Sequence, residues 1–335
     1  HYNEIVGNEI NGNSIGIQMS IWSRGNSCDN VIHHNNISNS GGYGIQMGYS
    51  SNRNIFHNNT IVNSGDGGIF QYQVHNEFYD NVIENNLDGF QLRNSNWNII
   101  KRNQIINNVE DGVWIWGSNN NTVEDNHIAN NTNCGVHLNQ DSYQPRYNKI
   151  YNNTIRDNND GIYEWYGDHN SFVGNKLIEN VDGIVLWYQC LENTVQDNTL
   201  INNTDYSIWI REESNDNLID SNDITDGSYG IYLQNSDDCD IIGNKVNGSN
   251  VNGIQLYLSN RSYIYGNELW NINESNDRAI YIRGLSTYNL IKENNIHQNN
   301  IGISMRDIGG SPQYNTITKN FIHDNLNDGI YYDGC

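Results

Sequence analysis

Asn98-Ile99-Ile100-Lys101-Arg102-Asn103-Gln104-Ile105, followed after a short polar run by Asp111-Gly112-Val113-Trp114-Ile115, is one copy of a unit that the chain repeats roughly every 24 residues. It returns at Asn121/Asn126 with Gly135-Val136-His137-Leu138, and at Asn170/Asn175 with Gly183-Ile184-Val185-Leu186. Within Gly-Ile-x-Leu, apolar and polar residues alternate with period two, the signature of a half-buried strand. Its inward column runs from Ile17 through Ile45, Val113 and Ile231 to Ile330, and counts roughly fourteen coils. Each Asn-x-Ile supplies a further short inward column, as in Ile32/Ile37 and Ile100/Ile105. Three short strands per coil, bent at Asn and Gly corners, predict an all-β fold: a single-stranded parallel β-helix, or β-solenoid. Repetition makes residues 1–335 one array without evident capping elements.

The two Asn columns carry a physical expectation. A corner Asn tolerates left-handed backbone, and its amide can bond its own turn and the equivalent Asn one coil away. The Asp-Gly pairs at Asp88, Asp111, Asp160, Asp182 and Asp328 are expected to serve tight bends into the next strand. That reading needs no ligand. Glu164 stands where other coils place Leu or Ile, and Gln71 does likewise; a bulge turning each side chain outward is expected.

This grammar resembles the right-handed parallel β-helix repeats of the NosD-like and carbohydrate-binding/sugar-hydrolase families, over essentially the whole chain. The resemblance implies the fold. The wider group spans polysaccharide lyases, hydrolases, epimerases, copper-site maturation proteins and cell-surface proteins, and the residues that match are structural. Alginate epimerases of this fold carry Asp-Pro-His-Glu, and neither Pro145 nor Pro312 sits in such a motif. Of the polygalacturonase motifs only an Asp-Asp pair is present, at Asp237-Asp238. No catalytic residue is assigned on this basis, and the chain is expected not to be an enzyme.

Composition narrows the partners. A formal charge of −22 argues against nucleic acid, and the acidic surface is compatible with divalent cations such as Ca2+ or with solubility alone. No other cofactor is implied. The longest apolar run falls short of the roughly 20 residues of a membrane helix. The chain starts within a repeat, so a leader is expected to be removed or to lie outside it. Histidines at positions 33, 34, 57, 75, 127, 137, 169, 297 and 323 are spread over many coils without His-x-x-x-His or His/Cys clustering, so no copper or zinc site is expected.

The strongest non-structural signal is the outward side of the Gly-Ile-x-Leu strand. Phe70, Tyr72, Trp114, Trp116, Tyr163, Trp165, Trp187, Trp209, Tyr232, Tyr257, Tyr281 and Tyr331 line it, punctuated by Arg93, Arg211, Arg283 and Arg306. So many aromatics on a solvated sheet face suggest an interaction surface. Three readings stay open: packing against protein, which leads; sugar rings stacking on Trp and Tyr; and aromatics merely stacking on one another between coils.

Cys28, Cys134, Cys190, Cys239 and Cys335 fall in separate coils, at least two apart, so about 10 Å or more separates neighbours and exceeds disulfide reach. Cys28 near the first coil and Cys335 at the last residue permit a head-to-tail crosslink between molecules. Sequons stand at Asn36, Asn58, Asn120, Asn130, Asn152, Asn202, Asn247, Asn260 and Asn273, and permit glycosylation. The expectation is an extracellular structural solenoid at the cell surface, building a layer, sheath or filament by end-to-end stacking and lateral packing of copies of itself. The alternative is a carbohydrate-binding or polysaccharide-modifying β-helix, and a NosD-like metal-maturation factor comes third.

Overall fold

The computed structural model describes residues 2–19, 27–48, 51–71 and 74–334, with only the backbone at Phe70 and Gln71. It is a parallel β-solenoid of three sheets, each fourteen-stranded, in which every third strand along the chain pairs in parallel. The first sheet opens with Glu4–Val6, the second with Glu9–Asn11 and the third with Ile17–Met19. Strands of the first two sheets are three residues long, whereas those of the third reach six, as in Asp160–Trp165. The described residues contain no helix, and hence none long and apolar enough to cross a membrane.

The chain forms two compact units, residues 1–163 with 167–171 and residues 164–166 with 172–335. In the first, register keeps like over like: Phe78 pairs with Phe56 and Ile100, and the rings of Phe56 and Phe78 stack at 4.8 Å. Ile32, Ile37, Ile105, Val113 and Val136 are fully buried in the same core. In the second unit Leu177, Leu200, Ile208, Ile231 and Ile254 fill the equivalent columns, also fully buried. A one-residue slip would turn every one of these side chains to solvent, so the apolar pattern fixes the register.

Asparagine ladders join the coils at the corners. Asn81 donates both its backbone N–H (3.0 Å) and its Nδ2 (2.9 Å) to Asn103 Oδ1, and Nδ2 also reaches the Phe56 carbonyl at 3.0 Å. Asn103 repeats the arrangement onto Asn126, and Asn222 onto Asn244 in the second unit. The buried rung therefore spends its amide along the stack, where water cannot reach. The left-handed backbone lies elsewhere: the residue before the ladder Asn adopts it, as at Asp80 (φ 56°), Arg102 (φ 51°) and Asp125 (φ 53°). A third ladder, unseen in the sequence, runs Ser64–Asn86–Asn108–Asn131 with bonds of 2.9 to 3.1 Å.

One further expectation is sharpened and another corrected. At the Asp-Gly pair Gly112 is needed because a Cβ there would lie 2.6 Å from the Gly135 carbonyl oxygen and 2.7 Å from Ile128 Cγ2. Glu164 forms no bulge: it sits on the inward side of Asp160–Trp165 with 0% exposure. The matching expectation for the Gln71 side chain lies outside the described residues.

Candidate functional site

The third sheet's long strands present three outward columns, and chemistry concentrates on them. In the first unit one column runs through Asp88, Asp111 and Cys134. Each carboxylate accepts the backbone N–H one coil on: Asp111 N–H to Asp88 Oδ1 at 2.9 Å, Cys134 N–H to Asp111 Oδ1 at 3.0 Å. Asp88 Oδ2 accepts Gln91 Nε2 at 2.6 Å. Burial pushes the Asp88 carboxyl up to about 6, against the pull of the Asp111 amide and with the help of the Asp111 charge. The Asp column is therefore a fourth ladder, and it leaves one oxygen per carboxylate for other work.

Asp111 Oδ2 uses it on His137 Nδ1, 2.8 Å away. Beside them lies the buried Cys134 thiol, and one donor atom from each of Asp111, Cys134 and His137 comes within 4.8 Å of the other two. Burial first, then the Asp111 and Asp160 carboxylates, pushes this thiol well above its ordinary range, so it is a neutral S–H and a poor nucleophile. Trp114 stacks on Trp116 at 4.7 Å and on His137 at 6.1 Å, while Tyr163 meets His137 edge-on. His137 Nε2, Trp114 Nε1 and Asn139 Oδ1 are buried there and make no hydrogen bond among the described residues. Three such atoms on adjacent rungs mark a pocket of polar chemistry suited to ordered water or a small ligand.

The third column carries Arg93, whose guanidinium lies over Trp116 at 4.0 Å and whose Nε reaches Asp141 at 3.4 Å. In the second unit the same face holds Arg211 against both Trp187 (4.4 Å) and Trp209 (4.1 Å). Tyr206 stacks on Trp209 at 4.2 Å and on Tyr229 at 4.9 Å. Arg283 lies over Tyr257 at 4.6 Å, Arg278 over Tyr281 at 4.5 Å, and Arg306 over Tyr331 at 5.8 Å.

Of the aromatic residues singled out in the sequence, Trp114, Trp116, Tyr163, Trp165, Trp187, Trp209, Tyr257 and Tyr331 are half-buried. Tyr232 and Tyr281 are 5% exposed, covered by their neighbours. The Phe70 side chain and Tyr72 lie outside the described residues, as does Cys335, the proposed partner of the half-buried Cys28. Asn36, Asn58, Asn130, Asn152, Asn202 and Asn273 are exposed; Asn120, Asn247 and Asn260 are half-buried, Asn260 being held by Asp237 and Thr287.

The expectation that histidines do not cluster is corrected. Besides Asp111/Cys134/His137, ring nitrogens of His33, His34 and His57 converge within 4.8 Å. Linear spacing hides both groups, because residues one period apart become neighbours only once coils stack. Writing the coils under one another would have shown His33 above His57 and Asp111 above Cys134.

Residues 25–177 match the family model described as right handed beta helix region, and residues 157–334 match the model described as periplasmic copper-binding protein (NosD). No curated protein matches the sequence. Among solved structures, the A-module of a mannuronan C-5 epimerase from Azotobacter vinelandii aligns at 11% identity and TM-score 0.57, covering 100% of this chain and 91% of that one. A GH87 α-1,3-glucanase catalytic unit from Streptomyces thermodiastaticus aligns at 13% identity and TM-score 0.57, covering 89% and 64%. The surface adhesin PfbA of Streptococcus pneumoniae aligns at 12% identity and TM-score 0.52, covering 96% and 92%. At these identities the likeness is one of fold.

Proposed function

Because the chain belongs to the NosD family of right-handed β-helix proteins, whose description places it in the periplasm, we propose that it works outside the cytoplasm as a non-enzymatic structural solenoid. In this reading copies pack laterally through the outer face of the third sheet. The observation that carries it is the aromatic–arginine array. A sugar platform needs ring faces turned to solvent, yet faces of Trp116, Trp187 and Trp209 are already occupied by Arg93 and Arg211. What the array offers is a rigid field of Trp, Tyr and Arg, the residue types that dominate protein–protein hot spots, already fixed by stacking and so cheap in entropy to dock. Copies carrying −22 each repel one another, so assembly should strengthen as salt screens that charge.

Sedimentation velocity and negative-stain electron microscopy test this. Wild-type protein should form laterally associated species that grow with NaCl. The variant Trp187→Ala/Arg211→Ala should stay monodisperse with an unchanged far-UV circular dichroism spectrum. Monodisperse wild type at high concentration and high salt would sink the proposal.

A second reading is favoured by one observation, the Asp88 carboxyl held near 6 beside Asp111, which in turn holds His137. A carboxyl raised toward neutral pH beside a second carboxylate is a pairing that polysaccharide-modifying chemistry uses. Release of unsaturated product from polyuronates, absorbing in the ultraviolet and lost in Asp88→Asn, would favour it over the structural role. The copper named in the family description finds no comparable donor set where the model matches: within 157–334 no three His, Cys, Asp or Glu donors converge among the described residues.

A further inference from the structure

We propose that His33, His34 and His57, on the outer face of the first sheet, form a binding site for a first-row divalent cation of imidazole preference: zinc, copper(II) or nickel. The site follows from coil register. His33 and His57 are partners on adjacent rungs, and their rings stack at 4.7 Å with planes 6° apart. His34 follows directly in left-handed backbone (φ 53°), which swings its ring round the corner, 5.0 Å from His33 and 5.9 Å from His57.

A hydrogen bond sets the His33 tautomer for ligation. Glu4 Oε1 lies 2.7 Å from His33 Nε2, so the carboxylate accepts that N–H and leaves the Nδ1 lone pair facing inward. Only 2.7 Å separates this Nδ1 from His34 Nδ1, so one proton is shared between two nitrogens that both point at the same space. At His57 the exposed Asn58 Nδ2 donates to Nδ1 at 3.0 Å, and this amide has to swing away or turn its oxygen inward for the ring to ligate. A carboxylate behind a histidine is the recurrent outer-shell device of metal sites: it fixes the ring and raises its basicity. Here it arises outside the segment matched by the copper-binding model, and no ladder requires it.

Two imidazoles on one tetrahedral ion at 2.0–2.1 Å stand about 3.3 Å apart. The cation therefore takes the place of the shared proton, which is re-bound from solvent at the exposed His34's Nε2; it spreads His33 and His34 by about 0.6 Å relative to the 2.7 Å now seen, and draws His57 in by tilting its ring out of the stack. His34 is exposed and the other two rings are half-buried, so both movements are open and the ion has a path from solvent. Three nitrogens leave a fourth position for water.

Isothermal titration of ZnCl2 into tag-free full chain, with Cu(II) electron paramagnetic resonance in parallel, tests the site. One equivalent of zinc should bind, and the Cu(II) spectrum should show nitrogen coupling. His34→Asn, at an exposed position that Asn also tolerates in left-handed backbone, should abolish both, as should His57→Asn. Glu4→Gln should weaken binding roughly 10- to 100-fold, the usual cost of losing an outer-shell partner. Cys134→Ser/His137→Asn should leave the equivalent intact. Absence of saturable binding overturns the proposal; so does an equivalent that survives His34→Asn and His57→Asn, or that disappears with the Cys134/His137 variant.

Discussion

Replacing Asn103 by alanine asks how much one ladder rung contributes. Asn103 Oδ1 accepts the Asn81 backbone N–H at 3.0 Å and Asn81 Nδ2 at 2.9 Å; its own Nδ2 donates to the Phe78 carbonyl and to Asn126 Oδ1, each at 3.0 Å. Alanine removes all four. Asn81 Nδ2 keeps the Phe56 and Tyr79 carbonyls, and Asn126 Oδ1 keeps the Asn103 amide, so those groups stay partly satisfied. The Asn81 amide N–H keeps no such substitute and belongs to a residue that is 1% exposed. An orphaned buried amide costs about 1–3 kcal/mol, and the remaining lost bonds about 1 kcal/mol together after partial compensation, giving roughly 2–4 kcal/mol. In a solenoid this loss falls on the interfaces with the two adjoining coils. Guanidinium unfolding followed by tryptophan fluorescence should show a clear fall in midpoint for Asn103→Ala. Gln104→Ala, an exposed strand neighbour, should stay within about 0.5 kcal/mol of wild type. If Asn103→Ala matched Gln104→Ala, the ladder would be a consequence of stacking and not a source of its stability.

Other outcomes follow from single contacts. Gly112→Val should destabilise by about 1–3 kcal/mol and more than Gly112→Ala, because the side chain meets the Gly135 carbonyl and Ile128; equal melting temperatures for the two would refute the close-approach explanation. Asp88, lifted from 3.8 to about 6, is protonated in the fold at pH values where the unfolded chain has already ionised. Its contribution is therefore present below about pH 4 and lost as pH rises to 6, by up to about 3 kcal/mol. Asp88→Asn should flatten that decline between pH 4 and 6 in thermal melts, and an unchanged pH slope would count against it. Asp277, also raised to about 6 chiefly by burial, acts in the same direction and contributes to the slope that remains.

The architecture was legible because it is written in period and alternation. The inward column at Ile45, Val113 and Ile231 gave coil number, strand count and register, and the structure places each of them fully buried. The two main Asn columns were legible as well, with half of their reason: each amide bonds the equivalent Asn one coil away as expected, whereas the left-handed backbone falls on Arg102 and not on Asn103. The Ser64–Asn86–Asn108 ladder was missed because serine and isoleucine interrupt its column, as where the Ile272 amide bonds Asn299. Glu164 was misplaced because a carboxylate on an apolar column reads as a bulge, whereas the solenoid keeps its rung and buries it.

The outward face divides in the same way. Sequence named its aromatics and arginines but not who covers whom, since that depends on side-chain direction between coils. Only the stacked structure puts Arg211 between Trp187 and Trp209 and leaves Tyr232 covered. The histidine and cysteine groups show the limit most clearly. A repeat of about 24 residues makes distant positions neighbours at the strand spacing of about 4.8 Å, so His57 meets His33, and Cys134 meets Asp111. Period and alternation determine the fold because burial of apolar side chains is read along the chain. Sites are decided across it, by which polar atoms the stacking brings together.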